Sequence, residues 1–108
     1  MGEAEDEVVE IVRSVSGARR LNRHSRVYQD LGVSGDDAWE MLQRLVDRFS
    51  VSFAKLDFNK YFPGETEAFG EHWARMLGLA KPRPPLTIAH LVAVVERGQW
   101  FEPDVNSR

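Results

Sequence analysis

Between Gly35 and Phe49 the apolar residues Ala38, Trp39, Leu42, Leu45, Val46 and Phe49 recur at the spacing of one helical face. Glu40, Gln43, Arg44, Asp47 and Arg48 take the opposite face. A helix with so broad an apolar stripe is stable only when the stripe is covered, so this segment demands partner elements. Two other stretches supply them. Val8, Ile11, Val12 and Val15 mark a first helix over Glu3–Val15, and Ile88, Leu91, Val92 and Val95 mark a last helix within "LTIAHLVAVVERG". Strand signals are scarce, so the expectation is an all-α bundle with short connections. A hydrophobic content of 43% in 108 residues fills one small core and not two. The chain therefore reads as a single domain over 1–101 with a polar, flexible tail over 102–108.

Local signals set the ends of these elements. Glu3, Glu5, Asp6 and Glu7 crowd the first turns of the first helix, where negative charge suits the helix dipole. Gly17 is a natural stop for it and Gly98 for the last helix, which Thr87 is placed to cap. Ser34 and Asp37 fit a capping box at the start of the second helix. Beyond Phe49, Val51 and Phe53 look extended, and Asp57 is placed to cap a short helical turn that carries Phe58, Tyr61 and Phe62 inward. Glu65–Leu79 predicts a further helix with Phe69, Trp73, Met76 and Leu77 on one side, ended by "AKPRPP", because successive prolines cannot continue a helix. That apolar side reads as core packing or, if the helix docks loosely, as a partner patch. Trp100 and Phe101 are expected to fold back onto the bundle.

Several function classes are excluded by composition. With no cysteine, thiolate zinc sites, disulfides and cysteine nucleophiles are absent. A net charge of −3 argues against nucleic acid as the partner of the chain as a whole. The acidic start lacks the basic region of a secretory signal, and no apolar run approaches a membrane span, so the expected location is cytoplasmic. His24, His72 and His90 do not share a metal-binding spacing. Arg13, Arg19, Arg20, Arg23 and Arg26 form the densest charge feature. They read either as a solvated loop paired with the acidic first helix and turn, or as a patch for an anionic partner. No nucleophile–base–orienter set, Gly-rich phosphate loop or metal cluster stands out, so the expectation is a protein that is not an enzyme.

The stretch "DLGVSGDDAWEMLQRLVDRF" resembles the Asp-Leu-Gly-x-Asp-Ser-Leu opening and second helix of acyl carrier proteins, with Asp30, Leu31, Gly32, Asp37, Glu40 and Phe49 in matching places. "GDDA", "DFNKYFP" and "LTIAHLVAVVERGQW" together resemble the motifs of a bacterial family of small uncharacterised acyl-carrier-like proteins. The resemblance implies an acyl-carrier-like four-helix bundle with an extra helix inserted over about 65–85, before the last helix. Carrier proteins hold a 4'-phosphopantetheine arm on a serine at the start of the second helix. Gly35 stands at that place and offers no nucleophile, while Asp36 and Asp37 already supply the negative charge that a helix start favours. Two readings follow. In one the chain has no cofactor and acts on a protein partner, such as an enzyme that recognises the carrier shape. Its contacts are then Asp36, Asp37, Glu40, Gln43, Arg44 and Asp47. In the other, Ser34 carries the phosphopantetheine arm one residue early. Nothing in the sequence demands more than a monomer.

Overall fold

A computed structural model of the chain describes residues 2–62, 78 and 84–103. Among the described residues there are four helices and no strand. They are α1 (Glu3–Ser16), α2 (Gly35–Phe49), α3 (Phe58–Tyr61) and α4 (Ile88–Arg97). The expected helix over Glu65–Leu79 and its apolar stripe lie outside the described residues, apart from Gly78.

α1 is the central helix, packed against both α2 and α4. Its Val8 and Val12 are fully buried and meet Ala38, Met41, Leu42 and Leu45 of α2 and Ile88, Leu91, Val92, Val94 and Val95 of α4 in one continuous core. Gly17 ends α1 at φ 72° and Gly98 ends α4 at φ 92°, each passing its N–H back to a carbonyl of the last turn. α2 ends differently. Ser50 adopts the left-handed conformation at φ 57°, which costs a residue with a Cβ about 1–2 kcal/mol.

The connection from α1 to α2 is held by backbone bonds to the start of α4. The N–H groups of Ile88 and Ala89 donate to Ser25 O (3.1 Å) and Arg23 O (2.8 Å). Val27 N–H donates to Leu86 O at 2.8 Å, and His90 N–H donates to the Thr87 hydroxyl at 3.1 Å. The N–H groups that a helix start leaves without helical partners are thereby satisfied, and Thr87 caps as expected. Within the same connection Asp30 accepts from Arg26 three times, through the backbone N–H (2.8 Å), Nε (3.1 Å) and Nη2 to its other oxygen (2.8 Å). These bonds hold the Asp30 carboxyl below its ordinary range. Leu31 packs on the core and Gly32 turns the chain at φ 72°. Asp-Leu-Gly here is a structural unit: a clasp, an apolar anchor and a left-handed turn.

After α2 the chain runs extended enough for Ser52 to bridge Gln99. Ser52 N–H donates to Gly98 O (3.0 Å) and Ser52 O accepts from Trp100 N–H (2.7 Å). Trp100 folds back to 4% exposure as expected, and Phe101 packs beside it. Glu102, assigned by sequence to the flexible tail, is anchored. It accepts from the hydroxyl of buried Tyr61, from Trp100 Nε1 (3.0 Å) and from Lys60 Nζ (3.1 Å). The sequence offered a polar residue, whereas the fold places its carboxylate beside the Tyr61 hydroxyl and the Trp100 indole N–H. The remaining tail, 104–108, lies outside the described residues.

Candidate functional site

The second helix was expected to present Asp36, Asp37, Glu40, Gln43, Arg44 and Asp47, and all six are exposed or half-exposed. Its opening departs from expectation. Ser34 occupies the N-cap position, but its hydroxyl makes no capping bond. The reason is Gly35, which turns left-handed at φ 56°. That turn brings the Ser34 carbonyl, rather than its side chain, to the N–H groups of Asp37 (3.2 Å) and Ala38 (3.4 Å). Asp57 behaves similarly at α3, where no side-chain cap forms and its carbonyl takes Lys60 N–H at 3.1 Å.

The helix is also rotated relative to the stripe read from sequence. Met41, left out of that stripe, is fully buried. Trp39, included in it, is 58% exposed. The buried positions 38, 41, 42 and 45 follow helical spacing with Met41 at the centre, which pushes Trp39 to the rim. There its ring stacks on Phe58 of α3, with centroids 4.3 Å apart and planes at 15°.

At the far end of α2 the structure brings Arg44 and Asp47 together with Arg48 and with Asp6, Glu7, Glu10 and Ile11 of α1. These line an open groove of about 560 Å³. Two cross-helix links span it. Arg44 donates to the Ser14 hydroxyl (2.6 Å) as well as to Glu40 (2.5 Å), and Arg48 pairs with Glu7. Gln43 donates to Asp47 at 3.0 Å. The two arginines that interrupt the acidic face are therefore tethers between helices. Asp36 and Asp37 sit about two turns away and do not join the groove. The groove was not visible in α2 alone, because Asp6, Glu7, Glu10 and Ile11 of its lining come from α1.

The basic loop is partly neutralised. Arg23 pairs with Glu5 (3.4 Å), Arg13 with Glu10 (2.5 Å) and Arg26 with Asp30, which follows the solvated-loop reading. Arg19 and Arg20 are exposed. His24 is exposed, and His90 is taken up in packing: Nε2 lies 2.7 Å from Phe101 O and the ring stands edge-on to Trp100 and Phe101. Burial lowers its pKa. His72 lies outside the described residues. No group of three His, Cys, Asp or Glu among the described residues is arranged to hold a metal ion, and no helix there is long and apolar enough to cross a membrane.

No curated protein and no solved structure matches the chain. A family model covers residues 1–102, nearly its whole length. The chain belongs to the family described as Protein of unknown function (DUF1493).

Proposed function

We propose that the chain is a non-catalytic, acyl-carrier-like protein that holds no phosphopantetheine and acts as an adaptor or regulator through protein contacts on α2 and its opening turn. The observation that carries this reading is Gly35. It stands where a carrier has its attachment serine, and its backbone is left-handed at φ 56°. A serine there would carry a conformational cost of about 1–2 kcal/mol, so the turn itself disfavours the attachment residue. Asp36 and Asp37 add two carboxylates to the first turn, where they repel a phosphodiester. What remains is a helix with an exposed polar face, a groove on one flank and an aromatic ring on the other, which is the inventory of a docking surface.

One observation favours a second reading, in which Ser34 carries the arm. Its hydroxyl is not committed to capping the helix. Intact mass separates the two. The protein and Ser34→Ala are incubated with coenzyme A and a broad-specificity phosphopantetheinyl transferase. No mass gain is the expected result. A gain that disappears in Ser34→Ala would replace the adaptor reading with a working carrier. Partner capture then tests the surface: reversing Asp36 and Asp37 to Lys, which breaks no ion pair among the described residues, should change what is bound, and unchanged capture would count against α2.

A further inference from the structure

We infer that the open face of Trp39 is the seat for an arginine side chain of a protein partner. The inference rests on the reading of α2 as a partner surface and names what that surface recognises. Trp39 is the large apolar side chain that the described residues leave most open, at 58% exposure. Its neighbours are arranged behind it. Phe58 stacks on one face at 4.3 Å, and Phe58 in turn meets Phe62, which is fully buried, at 5.3 Å. A ring stacked on one face yet more than half exposed has its other face toward solvent. The stack also fixes the indole before any partner arrives, so little side-chain freedom is left to lose on binding. Tryptophan held in this way is the residue type on which interfaces most often depend.

Charge selects the occupant. Asp36, three residues before Trp39, and Gln43, four after, are its neighbours on the helix surface. Asp36 has no ion-pair partner among the described residues, whereas the Glu40 carboxylate is taken by Arg44. An electron-rich indole face beside the unpaired carboxylate of Asp36 attracts a cation. Arginine fits better than lysine, because a planar guanidinium stacks on the ring while its edge donates to a carboxylate. The chain uses this contact elsewhere, with Arg97 lying 4.6 Å over the Phe101 ring. Cations of α2 and α3 are held in other places. Arg44 is bonded to Ser14 and Glu40, Arg48 is paired with Glu7, and Lys60 is paired with Glu102.

The test is a titration of the full-length ¹⁵N-labelled protein with a synthetic amphipathic helix of about 15 residues, long enough to be helical, carrying leucine and arginine. A twin peptide has citrulline in place of every arginine, which keeps the shape and removes the charge. The expected result is a shift of the Trp39 indole N–H and the Asp36 amide with the arginine peptide, and binding about tenfold weaker with the citrulline twin. Trp39→Leu should weaken the arginine peptide by about the same factor, with the other amides in place as a check of folding. Equal binding of the two peptides, or an unchanged affinity in Trp39→Leu, overturns the inference. Shifts at Glu40–Asp47 with a silent Trp39 overturn it while leaving α2 as a partner surface. No shift anywhere on α2 removes both. A Trp39 signal that moves with protein concentration alone gives the ring to a second copy of the chain and likewise overturns it.

Discussion

Replacing Glu102 by Gln should unfasten the C-terminal end of the molecule in a pH-dependent way. The Glu102 carboxylate accepts from Tyr61 and Trp100, both buried, and pairs with Lys60. Those contacts, with the Tyr61 hydroxyl first, hold its pKa down at about 2 instead of 4.5. A difference of that size corresponds at most to about 3.4 kcal/mol of stability. The side chain is 49% exposed, so solvent screening reduces the figure to about 1–2 kcal/mol. A group whose folded pKa is depressed stabilises the fold above its unfolded pKa and loses that contribution as pH falls through the folded one. The contribution is thus complete above about pH 4.5, diminishes below it and is nearly gone at about pH 2. Urea unfolding followed by circular dichroism, on wild type and Glu102→Gln at a series of pH values, reads this directly. The variant should be less stable by about 1–2 kcal/mol at neutral pH and should converge on wild type toward pH 2. A deficit that does not change with pH would refute the electrostatic account. No deficit at neutral pH would mean that the anchoring of Glu102 contributes nothing to the fold.

Other backbone and capping positions give independent expectations. Gly35→Ala should lower stability by about 1–2 kcal/mol, since alanine resists the left-handed turn that opens α2; thermal unfolding measures it. Ser50→Gly should act in the opposite direction, raising stability by about 0.5–1 kcal/mol, because the αL residue that ends α2 would then be unstrained. Thr87→Ala removes the hydroxyl that accepts His90 N–H and should cost about 1 kcal/mol in urea unfolding. Ser34→Ala should cost little by the same assay, because the Ser34 hydroxyl caps nothing.

The helices were legible because their signals are local and redundant. Val8 and Val12, or Leu91 and Val95, repeat at a spacing that marks one face of a helix, and Gly17, Thr87 and Gly98 each end or begin a helix for a reason contained in one residue. Of the basic residues that read either as paired with acidic neighbours or as a patch for an anionic partner, Arg13, Arg23 and Arg26 are paired. Where a residue's role depends on what arrives from elsewhere in the chain, the pattern misleads. Glu102 looks like a tail residue until Tyr61 and Trp100 are folded beneath it. The Ser34–Asp37 spacing looks like a capping box until the neighbouring glycine turns the backbone away from it.

Trp39 shows why the candidate site was harder to read than the fold. Hydrophobicity alone places it in the apolar stripe of α2, and the stripe is wide enough to take it on either side of the centre. The choice is made by tertiary packing: Met41 joins the core shared with α1 and α4, and Phe58 of α3 stacks on the indole. An apolar residue at the rim of a stripe has two stable outcomes, burial under a neighbour or partial exposure beside one. Which of them occurs depends on the length and placement of the element that follows. In this chain that element is a helix of four residues, long enough to back the ring and too short to cover it. A structural demand for a well-packed core and a surface feature suited to binding thus come from the same amphipathic pattern. They separate only once the helix is fixed in rotation against its neighbours, so the site becomes visible one step later than the fold.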